Sequence, residues 1–198
     1  MSDNAAVTGV LSALLCGVTG FGFYKMAPQE HPYAFTACVI GFCHGFLGLV
    51  AVVAGESESA NSAKETTTAI MEIVPLPLVN IELFFMSESN NIALGHGLFI
   101  VPMAVDLLLS LFKDEGGDEN ETRETLKNLT ILGNITALLY LAINESNWIY
   151  GGMAGLAFIA KYGAMFIDSQ SEGSGPPITM LAYTGFFYCT AISMGGDA

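Results

Sequence analysis

Tyr33-Ala-Phe-Thr-Ala-Cys-Val-Ile-Gly-Phe-Cys-His-Gly-Phe-Leu-Gly-Leu-Val-Ala-Val-Val-Ala54 contains no Asp, Glu, Lys or Arg. An apolar run of this length reads as a membrane span, because about 20 helical residues are needed to cross ~30 Å of hydrocarbon. Working outward, similar segments recur at about Ala6–Tyr24, Thr68–Met86, Ile92–Phe112, Thr125–Leu141, Trp148–Ile167 and Pro177–Met194. Lys25 and Pro28 close the first, Pro32 opens the second, and Pro176-Pro177 suits the first turn of the last. The expected fold is therefore all-α, a multi-pass helical membrane bundle of about seven spans forming one domain over residues 1–198. Glu72, Pro75, Pro77, Asn80 and Glu82 interrupt the third span. Six spans, with that segment re-entrant or lying in the interface, is the alternative.

Composition agrees. Hydrophobic residues make up 52% and charged ones 13%, against about 25% charged in globular proteins, and the mean hydropathy is +0.53. With 6 basic and 19 acidic residues, the chain lacks the Lys/Arg clusters that nucleic acids or anionic headgroups require. The opening Met-Ser-Asp-Asn has neither the Arg-rich character of a transit peptide nor the positive start of a cleavable signal, so the first apolar run is expected to be retained. Cys16, Cys38, Cys43 and Cys189 all lie in apolar runs without CxxC spacing. They read as packing residues, not as a metal site or disulfide framework.

With seven spans, Lys64, Lys113, Arg123 and Lys127 fall on the N-terminal side and Lys25 on the other, which makes the N-terminal side cytosolic. The expected location is a plasma or secretory-pathway membrane, with Trp148 and Tyr150 as belt residues at the outer face. Lys113–Glu124 is the one strongly acidic link. It lacks the ligand order of an EF-hand and reads as a solvated loop whose acids complement the dipole of the next helix. Of four Asn-x-Ser/Thr sequons, at Asn120, Asn128, Asn134 and Asn144, only Asn120 has room for a glycan. The favoured orientation puts it in the cytosol.

Carboxylates at bilayer depth cost roughly 2.5–3.5 kcal/mol each and need partners or a task. If the third and fourth spans form a hairpin turning near 88–90, Glu82 lies level with His96 and Glu72 with Asp106. The latter pair falls roughly 8–9 Å inside the cytosolic edge at 1.5 Å per residue, and Lys161 shares that depth. Two readings follow: a Glu72–Lys161–Asp106 layer that neutralises buried charge, or a cation or proton path stepping through Glu72, Glu82, His96 and Asp106. His44 sits near mid-depth in the second span. It lies about two turns from the level of His96, which argues against a shared haem. Lys161 is on the sixth span rather than the last and has no aromatic cage, which argues against a retinal linkage. No nucleophile motif, nucleotide loop or metal cluster is present, so no enzyme activity and no cofactor are expected.

Gly41-Phe-Cys-His-Gly45 and Gly151-Gly-Met-Ala-Gly155 are both GxxxG, and Gly17-Val-Thr-Gly20-Phe-Gly22 offers a similar small face. Small residues allow the close backbone approach on which helix association in lipid depends. Ile73-Val-Pro75-Leu-Pro77-Leu-Val-Asn-Ile-Glu82, Asn90/Asn91 with the Gly-rich span after them, and Asn147-Trp-Ile-Tyr-Gly-Gly-Met-Ala-Gly155 resemble the small animal transmembrane protein 276 family over about Ile70 to Gly163. That resemblance implies a multi-pass membrane protein without an established catalytic role. The expected function is a non-enzymatic accessory or structural subunit of a larger membrane assembly. Its partners would be the lipid bilayer and other membrane subunits or further copies of itself. The alternative is a small cation- or proton-coupled transporter or channel built on the buried acids.

Overall fold

The computed structural model describes residues 3–55, 58–87 and 118–195. These contain helices and no strand. In chain order they are α1 (Asp3–Lys25), α2 (Pro32–Ala54), α3 (Glu58–Ile73), α4 (Pro75–Met86), α5 (Asp118–Asn144) and α6 (Trp148–Phe158). A π turn (Ile159–Gly163) leads into α7 (Ala164–Gln170), and α8 (Gly175–Met194) follows.

Four stretches are long and apolar enough to cross a membrane: Ala5–Lys25, Pro32–Ala54, Ser62–Met86 and Glu124–Asn144. The expected count of seven is not reached among the described residues. The expected fourth span, Ile92–Phe112, lies outside them, as do His96, Asp106 and the hairpin turn at 88–90. The expected sixth span is divided by the π turn. The last, α8, opens on Gly-Pro-Pro and carries Thr and Tyr among its apolar residues. The expected third span is broken but continuous. Pro75 and Pro77 have no N–H to give the carbonyls four residues earlier, so the helix bends at Val74 and resumes at once as α4. Helix also begins sooner than expected before the fifth span. Asp118–Glu124, read as part of an acidic loop, already belongs to α5, and residues 113–117 lie outside the described part.

The helices close into a ring. α1 packs on α2, α2 on α3 and α4, α4 on α5, α5 on α6, α6 and the π turn on α8, and α8 back on α1. The interior is filled by Phe84, Phe186, Phe187, Leu15, Leu138 and Met153, all essentially without solvent exposure. Large apolar side chains such as Val10, Phe46, Leu129, Ile143, Phe166 and Leu181 point outward. In water that would be a liability; in lipid it is the expected exterior. Ser62–Met86 is the most enclosed of the four spans, which explains how it tolerates Glu72, Asn80 and Glu82. Trp148 and Tyr24, 90% and 84% exposed, lie at the bundle end where α1 finishes and α6 starts, the belt position for amphipathic rings.

The α1–α2 seam depends on small residues. A Cβ on Gly45 would lie 3.0 Å from the Ser12 carbonyl oxygen and 2.9 Å from Cys16 Sγ; one on Gly48 would lie 2.3 Å from Ser12 Oγ; one on Gly41 would meet Thr19 Cγ2 at 2.9 Å and Phe187 of α8 at 2.7 Å. Gly41, Gly45 and Gly48 thus face Ser12, Cys16 and Thr19, each row stepping by four and then three or by three and four along one helix face. The expected small face of α1 is not the one used. Among the described residues a Cβ on Gly17 or Gly20 would meet nothing within 4 Å, and of the three only Gly22 is close-packed, against Cys38. Gly155 and Gly152 on α6 also meet nothing, and Gly151 reaches only Ala142 at 3.8 Å.

Candidate functional site: a basic-lipped cavity in the bundle

A cavity of about 350 Å³ lies between α1, α2, α3, the π turn, α7 and α8, towards the end of the bundle where α1 begins. Its apolar wall includes Leu11, Leu15, Met71, Ala160 and Met180. Its polar groups include His44, Lys64, Thr68, Glu72, Lys161 and Asp168. The volume is at the lower end of the ~300–1,000 Å³ typical of small-molecule sites.

Glu72 and Lys161 meet on one wall. The Lys161 ammonium donates to Glu72 Oε1, while Lys127 Nζ of α5 lies 3.1 Å from Glu72 Oε2 and is itself paired with Glu124. Glu72 is therefore held between two ammonium groups, with 24% of its side chain exposed. The Tyr183 hydroxyl lies 3.5 Å from the Glu72 carbonyl, to which it donates. Lys161 leaves the backbone from the π turn, where the Ala164 N–H bonds back to the Ile159 carbonyl. A widened turn of this kind shifts the register of one helix segment against the next and is frequent at functional sites. Thr179 of α8 braces it by donating to the Ala160 carbonyl at 2.9 Å.

Two other polar groups are already occupied. Asp168 Oδ1 accepts from the Gly173 and Gly175 N–H groups at 3.0 and 2.8 Å, closing the turn before α8. His44 Nδ1 is 3.1 Å from the Thr67 hydroxyl. Lys64 is exposed and, among the described residues, no carboxylate lies within ion-pair distance of it.

Glu82 is elsewhere and has a different task. Its Oε2 accepts from the backbone N–H groups of Tyr33 and Ala34 at 2.8 and 3.2 Å, and His31 Nδ1 is 3.5 Å from Oε1. The residue before α2, His31, makes no side-chain cap. The Glu82 carboxylate supplies it from α4, neutralising orphan N–H groups and complementing the positive helix end. A second buried polar contact joins the same helix to α5. Asn80 Nδ2 donates to the Asn134 carbonyl and to Asn134 Oδ1 at 2.9 and 3.0 Å, and Asn134 donates to the Thr130 carbonyl. The Glu72–Lys127 and Asn80–Asn134 contacts make α3–α4 and α5 parallel.

Sequence reasoning placed Glu72, Lys161 and His44, which the structure brings to one cavity, and Glu82, which it does not. It missed the roles of Lys127, Lys64 and Asp168. A fifth span starting at Thr125 puts Lys127 simply among the charges on the N-terminal side. Once α5 starts at Asp118, Lys127 lies about 13 Å along it at 1.5 Å per residue, which brings it to the depth of Glu72. The proline pair at Pro176-Pro177 was the available signal for Asp168, because a helix opening on prolines leaves few N–H groups and the turn before it needs an acceptor.

A family model matches residues 28–194, the Domain of unknown function (DUF4791). The chain belongs to that family. The matched region takes in α2 to α8 and with them Lys64, Glu72, Glu82, Lys127 and Lys161, and leaves out α1, which supplies Leu11 and Leu15 to the cavity wall. No curated protein and no solved structure matches the chain. The family's description names no activity, so the functional reading rests on the cavity.

Proposed function

We propose that the protein is a non-enzymatic membrane protein that binds a small solute in this cavity and passes it across the bilayer. The observation that carries the reading is the cavity itself. Ionisable side chains inside a membrane bundle are expensive, and those facing a cavity mark solute pathways more often than packing. Its walls come from helices with the interruptions seen in transporters: the proline break between α3 and α4 and the π turn below α6. The cation path expected from the acids alone loses support, because Glu72 is engaged by both Lys161 and Lys127 and Glu82 caps α2. The reading includes a cytosolic N-terminal side, a plasma or secretory-pathway membrane, and kinship with the transmembrane protein 276 family.

The accessory-subunit role is the second reading. Among the described residues a Cβ on Gly152 or Gly155 of α6 would meet nothing within 4 Å, leaving a face on which another membrane subunit or a second copy could pack closely. Labelling separates the two. In a chain whose four native cysteines are replaced, Met180→Cys in the cavity should react with a membrane-impermeant maleimide in sealed vesicles, whereas Leu139→Cys on the lipid face should not. Failure of Met180→Cys to label from either side of the membrane would remove the solute reading and leave the accessory role.

A further inference from the structure

On the cavity's described lining two lysines and two carboxylates balance, but Lys64 is not engaged by either acid. Of its two lining acids, Glu72 is shared by Lys161 and Lys127, and Asp168 Oδ1 is occupied by two backbone N–H groups. Lys64 at the mouth has no carboxylate partner among the described residues. The chain has only 6 basic residues against 19 acidic ones. Lys64 and Lys161 nevertheless both line this one cavity, and Lys127 reaches its Glu72 from α5.

The rest of the lining narrows the ligand. The described lining includes no arginine, so the planar fork that grips a phosphate is missing among these residues. The N-terminus of α8 cannot replace it, because Asp168 holds the Gly175 N–H and Pro176 and Pro177 have none to offer. One ammonium at the mouth matches one negative charge. Behind it, Leu11, Leu15, Met71 and Met180 form an apolar wall that would exclude a fully polar ion. The space is worth about a dozen water molecules at ~30 Å³ each.

We infer that the cavity takes a small amphipathic monoanion, its carboxylate or equivalent head at Lys64 and its apolar body against Leu11, Leu15, Met71 and Met180. The inference rests on the reading of the cavity as a solute site. The head could belong to a free short-chain carboxylate or to a lipid. The Lys161–Glu72–Lys127 group sets the floor of the charged side and stays paired while the ligand binds.

The Met180→Cys labelling reaction tests this directly, in the full-length protein reconstituted in phosphatidylcholine vesicles. Octanoate should slow labelling at concentrations roughly tenfold below those at which octanol does, as one charge-assisted hydrogen bond at an exposed site would give. Octylamine should give no protection. Lys64→Gln should erase the difference between octanoate and octanol, and Lys64→Arg should keep it; Lys64 is exposed, and unchanged thermal unfolding shows that the variants fold. Slowed labelling in phosphatidylglycerol vesicles without octanoate, abolished by Lys64→Gln, would assign the head to a lipid. Equal protection by octanoate and octanol, or protection unaffected by Lys64→Gln, overturns the monoanion while leaving the cavity reading intact. A Met180→Cys that never labels removes both.

Discussion

Glu82 shows how a charge in an apolar span can be structural. Its side chain is 5% exposed, which leaves its energy to be recovered from partners, and the Tyr33 and Ala34 N–H groups provide it. Neither N–H has an intrahelical acceptor at the start of α2, so each group answers the other's desolvation. Glu82→Ala should therefore cost about 1–3 kcal/mol, the penalty of leaving buried donors unmade, and lower the thermal midpoint in detergent by several degrees. Glu82→Gln keeps an acceptor oxygen but not the charge, and should fall between the two. A melting temperature unchanged by Glu82→Ala would mean that α2 does not depend on this cap. At Glu72 the arrangement differs: two ammonium groups share one carboxylate, so loss of either still leaves the acid paired.

Between elements, glycine placement separates seams that are closed from a face that is open. At Gly45 a Cβ would press on the backbone of α1, which cannot rotate away as a side-chain tip could. Gly45→Leu should force the helices apart at a cost above the ~1–3 kcal/mol of ordinary overpacking, read as loss of the monodisperse peak in size exclusion. Gly155→Leu meets empty space and should leave the bundle folded, with a gain of up to ~1 kcal/mol from replacing glycine in a helix. If it also releases a bound subunit, the accessory reading gains. Equal damage from both substitutions would contradict the packing described. The proline break belongs to the same scale. Pro75 removes one hydrogen bond where α3 meets α4, yet Leu76, Pro77 and Val79 to Phe84 stay buried because α2 and α5 flank the segment.

For the whole molecule, orientation is the property that the internal contacts leave open. The ring of helices places Lys64, Lys127 and Lys161 towards the end where α1 begins, and Lys25, Tyr24 and Trp148 towards the other. Basic residues favour the cytosolic side, so Asn120, near the start of α5, should carry no glycan. A glycosidase-sensitive mass shift lost in Asn120→Gln would reverse the orientation. Asn134 does not complicate that measurement: it is 3% exposed and bonded to Asn80, so its sequon is closed to modification.

By itself the sequence determined the environment and the building material: apolar runs as long as a bilayer is thick, turns marked by proline and glycine, and acids too costly to be accidental. Span length and local punctuation are properties of contiguous residues, so they can be read along the chain. Depth arithmetic even brought Glu72 and Lys161 to one level, since a helix advances by a constant rise. The tertiary structure alone decided which levels meet. Lys127 reaches Glu72 because α5 starts well before its apolar part. Gly41 and Gly45 close on Ser12, Cys16 and Thr19 rather than on another chain. Glu82 turns to the end of α2. Each of these depends on which helix lies beside which, and helix adjacency comes from the packing of many weak contacts that no single stretch encodes. The cavity is the clearest case. Its walls come from residues 8 to 183, and nothing in any one segment announces the space left between them.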